Sequence, residues 1–178
     1  MEEHVDPSGM DGVWRMDRSD SRVRDPGTGE WVEEPIDEQV AEIRHDGDVL
    51  DFRCRIQHAP DLALYLRYRV RYGADEWVPY EVFHIDGDPE HESLRPNLFR
   101  KVHARVGEPI AYLKEVYVDP RTTVRLTRHP DGEAQYGLMA RLSEDGQRLV
   151  GKVIPVEGDA GISTAMVRDA GPAPVWPA

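Results

Sequence analysis

The chain has 178 residues and a formal net charge of −12. That length holds one domain with a real core, and the acidity argues against a nucleic-acid backbone or an anionic membrane surface as the main partner. A single cysteine, Cys54, excludes an internal disulfide, and no apolar run near the start suits a signal peptide or a bilayer span, so the cytoplasm is the expected compartment.

Residues 1–10 are acidic and polar and read as a flexible arm. The first apolar segment opens at Gly12-Val13-Trp14 and fades by Asp17. Residues 18–37 are polar, carry the turn signal Asp25-Pro26-Gly27-Thr28-Gly29, and hold one conspicuous apolar pair, Trp31-Val32. A connection of that length in a compact domain is usually functional or disordered. Trp31 within it is expected to fold against a pocket mouth as part of a lid.

From residue 38 the rhythm becomes regular. Residues 40–45 and 49–58 form a hairpin about Asp46-Gly47-Asp48. On the second of these, Leu50, Phe52, Cys54 and Ile56 alternate with Asp51, Arg53, Arg55 and Gln57, which marks a half-buried strand. Residues 62–72 repeat the alternation with Leu62, Leu64, Leu66, Tyr68, Val70 and Tyr72 on one face. Further strands are expected at 77–85, 98–106, 110–118, 122–128, 133–143, 147–156 and 162–168, separated by Gly-, Pro- and Asp-rich turns. The Pro-rich tail, residues 170–178, should lie outside the sheet.

About ten strands at this spacing, without a long helix, indicate an all-β antiparallel up-and-down barrel over residues 11–169, with a jelly-roll sandwich as the alternative. Only 39% of the residues are apolar. A barrel suits that composition, because only alternate residues face inward. Of the 22 basic residues 19 are Arg, which reflects genome composition rather than guanidinium chemistry.

The Gly-x-Trp of the first strand, with Arg168 closing the last strand Ser163-Thr164-Ala165-Met166-Val167-Arg168, resembles the lipocalin-like branch of the calycin superfamily of β-barrels. The resemblance implies that Trp14 closes the barrel floor and Arg168 packs across it, both as structural residues. It also implies small-molecule binding. Bacterial cytosolic barrels of this kind include carriers and natural-product cyclases or isomerases. Secretion, common among lipocalins, is not expected here.

Strand phase names the candidate site. On 77–85 the face Trp77, Pro79, Glu81, Phe83, Ile85 is the bulkier one, so Glu81 is expected inside. On 110–118 the face with Ile110, Tyr112, Lys114, Val116 and Val118 is more β-branched than the face with Ala111, Leu113, Glu115 and Tyr117, which selects Lys114. A buried Glu and Lys are the groups whose proton affinity burial shifts most usefully, so Glu81 and Lys114 are the expected catalytic pair. Tyr68, Tyr72, Tyr112 and Tyr136, with Trp77, Phe83, Phe52, Cys54 and Trp31, are the expected ligand wall. Cys54 reads as a small hydrophobe rather than a nucleophile.

The acidic and His-rich run at residues 84–92 lacks the order of a calcium loop or a zinc hydrolase. No phosphate-binding loop, dinucleotide fingerprint or Gly-x-Ser-x-Gly is present. The expected function is binding of a small, largely apolar organic molecule, leaning towards a cofactor-independent cyclase or isomerase, with a carrier or a structural, protein-interaction barrel as alternatives. No metal and no cofactor are expected. A homodimer is compatible with these features.

Overall fold

A computed structural model describes residues 5–97, 100–156, 161–172 and 174–178. Twelve strands follow one another: β1 (Gly12–Met16), β2 (Arg22–Arg24), β3 (Trp31–Glu33), β4 (Glu38–Asp46), β5 (Val49–Ala59), β6 (Leu62–Arg71), β7 (Val78–Asp86), β8 (Pro109–Asp119), β9 (Thr122–Arg128), β10 (Ala134–Leu142), β11 (Arg148–Pro155) and β12 (Ile162–Arg168). Strands β4 to β12 pair in chain order, and β1 pairs with both β4 and β12. Ten antiparallel strands therefore close into one up-and-down barrel, which excludes the two-sheet jelly roll. The short β2–β3 hairpin is appended through Ile162↔Val23 and Ser163↔Arg22, so residues 18–37 extend the sheet beside β12.

The floor is built around Trp14, which is fully buried and donates its indole Nε1–H to the Met10 carbonyl at 2.9 Å. Trp14 and Arg168 are cross-strand partners, and the Arg168 guanidinium lies 4.4 Å from the indole centroid. That guanidinium also donates to the carbonyls of Gly9, Asp11 and Gly146. Gly12 explains the Gly-x-Trp spacing. Its φ is +137°, and a Cβ there would sit 2.7 Å from Arg168 Nη1. Only glycine takes that conformation and leaves the guanidinium its path. The expected loose arm is packed from at least Pro7 onward, because Pro7 and Met10 are buried under the floor.

Two other expectations need correction. Among the described residues, 100–106 do not form the expected strand. Leu98 and Phe99 lie outside the described residues, and the rest belong to a loop with one isolated bridge, Asn97↔Arg100. Arg100 organises that loop by donating to the carbonyls of Ser93, Arg95 and Val102, while Leu94 and Ala104 are buried and joined by a backbone bond. The Pro-rich tail lies outside the sheet but not free of it. Trp176 packs on Tyr65 and Phe83 and donates to Glu42 at 2.7 Å.

Candidate functional site

The interior encloses a cavity of about 320 Å³, at the lower end of ligand-pocket sizes, roughly 300–1,000 Å³. One wall, from β10 to β12, is apolar and partly small: Leu138, Ala140, Leu149, Gly151, Val153 and Met166. The opposite wall, from β5 to β9, carries the polar groups. Glu115 and Arg125 are direct partners across β8 and β9 and are both nearly inaccessible to solvent. Arg125 Nε donates to Glu115 Oε1 at 2.9 Å, and the same oxygen accepts the Tyr68 hydroxyl at 2.9 Å. Arg125 Nη2 donates to the Tyr68 hydroxyl oxygen.

Aromatic rings frame this guanidinium. Its carbon lies 4.8 Å from the Tyr68 centroid, 5.2 Å from Phe52 and 5.6 Å from Tyr80. Phe52 and Tyr68 stack at 4.8 Å, and Tyr80 meets both edge-on. Below them the Tyr80 hydroxyl and Cys54 Sγ are 3.3 Å apart. Burial pushes the Cys54 thiol up to about 11 and holds the Tyr68 and Tyr80 phenols well above their ordinary value, so all three are neutral near pH 7. Arginine keeps its charge throughout. The centre is thus one ion pair inside a ring of neutral hydroxyls, thiol and aromatic faces.

The mouth is set by Glu34, Ile36, Gln39, Ile56, His58 and Ile162. Glu34 and Ile36 come from the long first connection, and Thr164 donates to Glu34 at 3.1 Å. Burial raises the Glu34 carboxyl above its ordinary value and lowers His58 below its own. Among the described residues, His58 Nε2 is buried without a hydrogen-bond partner.

Phe52, Tyr68, Tyr72 and Tyr136 line the cavity, and Cys54 lies behind them against Tyr80. The expected catalytic pair is overturned. Glu81 is on the barrel exterior, bonded to the exposed Arg67 at 2.6 Å. Lys114 is also outside, its ammonium 5.2 Å from the Trp77 centroid. Arg128 covers the same indole and the Tyr112 ring, so Trp77 and Tyr112 form an exterior cation–π group, not a ligand wall. Phe83 is outside, in step with Glu81, because Val78, Tyr80 and Val82 are the inward residues of β7. A bulge follows, Tyr65 pairing with His84 but Leu66 with Val82, and Phe83 packs against Trp176. Trp31 does not line the cavity. It is 53% exposed, and its ring lies over Gly161, just before β12.

The inward face of β8 is Ala111, Leu113, Glu115, the face with fewer β-branched residues. Arg125 was not legible from strand phase, since Thr123, Arg125 and Thr127 are not an apolar row. Hairpin register does not supply the signal either: a straight count from Asp119↔Thr122 sets Arg125 opposite Val116, and the irregularity between Tyr117 and Asp119 brings it opposite Glu115. No protein-family model matches the chain, and comparison with curated proteins returns no match.

Proposed function

We propose that the barrel binds a small, largely apolar organic molecule in its interior and acts on it as a cofactor-independent cyclase or isomerase. The observation that carries this reading is the Arg125–Glu115–Tyr68 cluster facing an apolar wall across open space. A barrel selected only for stability has little use for it. Replacing a buried ion pair by packed apolar residues is commonly neutral or stabilising, and Gly151 and Ala140 stand where larger side chains would fill the interior. Cyclisation and isomerisation need orientation and a fixed electrostatic environment more than a nucleophile. Cys54, held as a thiol, is no nucleophile here. The floor of Gly12, Trp14 and Arg168 supports kinship with lipocalin-like calycins, and the free, buried Cys54 suits a cytoplasmic site of action.

N-phenylnaphthylamine, a neutral apolar fluorophore, tests the binding. Saturable enhancement is expected with the parent and not with Gly151→Phe, whose new ring would occupy the cavity while leaving the circular dichroism unchanged. A parent that gives no enhancement defeats the reading. Catalysis is tested by extracting the molecule that co-purifies with the protein and incubating it with fresh protein. Conversion to a product of the same mass but different retention supports an isomerase or cyclase, and recovery unchanged reduces the protein to a carrier.

A further inference from the structure

We infer that the molecule held in the cavity presents a neutral carbonyl oxygen, not a carboxylate, to the Nη1 edge of Arg125. The inference rests on the cavity reading above and adds the chemical class of the ligand. It follows from which hydrogen-bonding groups are already engaged. Arg125 Nε is bonded to Glu115 and Nη2 to Tyr68. Among the described residues nothing bonds Nη1, and Arg125 lines the cavity. The Tyr68 proton is directed to Glu115, and the Tyr80 hydroxyl and Cys54 thiol share one hydrogen bond. The Nη1 edge of the guanidinium is therefore a spare donor of this wall, and the charged one.

Its plane is held by three aromatic rings, so the remaining N–H groups have a fixed direction. Charge then decides the ligand class. Glu115 lies directly against Arg125, and the pair is neutral before any ligand arrives. A carboxylate would place a second anion near Glu115 in a site shielded from water, where like charges repel strongly. A carbonyl accepts the same N–H at no such cost. If its oxygen gains negative charge along the reaction, as in an enolate, Arg125 is already placed to stabilise it. At Arg125 itself Glu115 leaves no surplus positive charge, and Arg100, which also lines the cavity, is engaged with the carbonyls of its own loop.

Two probes of one shape test this. Para-dimethylaminocinnamaldehyde and para-dimethylaminocinnamate differ only in the carbonyl end, and the aldehyde's absorption moves to the red when its oxygen accepts a strong hydrogen bond. The parent is expected to bind the aldehyde at least about tenfold more tightly than the cinnamate, with a red shift. Glu115→Gln keeps the shape and an acceptor oxygen for Tyr68 and Arg125 but leaves the guanidinium charge unbalanced. It is expected to move the preference towards the cinnamate by at least about tenfold.

Equal or tighter binding of the cinnamate by the parent overturns the inference, and so does an unchanged ratio in Glu115→Gln. Should that variant fail to fold, the parent ratio and the carbonyl stretch of the bound aldehyde still decide. An unlowered stretch overturns the inference. Preference for the cinnamate with naphthylamine binding intact removes the carbonyl assignment alone. Failure of the naphthylamine and both cinnamyl probes removes the cavity reading with it.

Discussion

Arg168 is the residue whose surroundings leave it least freedom: three carbonyls and one indole fix its guanidinium. Arg168→Met strips those acceptors of their donor and is expected to cost about 2–4 kcal/mol in urea unfolding. Gly12→Ala is also expected to destabilise, through its positive φ and through the new methyl against Nη1. In the Arg168→Met background the second cause is gone, so Gly12→Ala should cost measurably less there. Strict additivity in that double-mutant cycle would contradict the steric account. At Cys54 the expected outcome is inertness. A fully buried thiol shifted to about 11 should not react with a disulfide reagent at pH 8 in native protein, and should react promptly in urea. The floor was legible because the Gly-x-Trp opens the first strand and Arg168 closes the last. The polar centre was not, because each face of β8 carries one charge, Lys114 or Glu115, and branching at Cβ chose the wrong one.

Elements obeyed their alternation where hairpins were tight and departed from it where a bulge intervened. Strands β5 and β6 pair in register from Val49↔Arg71 to Gln57↔Ala63, and their inward residues are those the period of two selects. Strand β7 keeps that period only up to Val82. The bulge at Phe83 then reverses the phase and brings Ile85, otherwise in step with Glu81 and Phe83, back towards the core. Glu81 and Phe83 share the exterior face, whose bulk, Trp77 and Phe83, is covered by cations and Trp176 and so reads like a core face in the sequence. The tail compensates for the exposed ring. Trp176→Ala uncovers Tyr65 and Phe83 and is expected to lower stability by about 1–3 kcal/mol in urea unfolding while leaving naphthylamine binding intact. The segment bearing Glu34 should respond to pH. Its folded carboxyl is raised by burial, so the protonated form suits the folded state, and that contribution is lost as pH rises through the ordinary carboxylate range and beyond. Glu34→Gln removes the titration. The variant's melting temperature should fall less than the parent's between pH 4 and 7, and parallel curves would refute the assignment.

The whole molecule is a closed cylinder whose appended hairpin ends on β3. The last residue of β3, Glu33, and the Glu34 and Pro35 that follow discourage pairing with another molecule by charge and by a missing N–H. Closure itself depends on the two strands furthest apart in the chain, since Trp14 must meet Arg168. That arrangement carries a consequence for synthesis. Each hairpin from β4 to β11 can pair as it leaves the ribosome, but β1 has only one neighbour until β12 has been made. Until then the growing chain is an open trough, with two long edges and the Arg125–Glu115 pair wet. Loop closure across nearly the whole domain is slow relative to local pairing. The solvent-shielded interior that holds Arg125 is therefore the last part of the protein to come into being, and every nascent chain passes through a stage in which its future interior is an exposed, partly apolar surface.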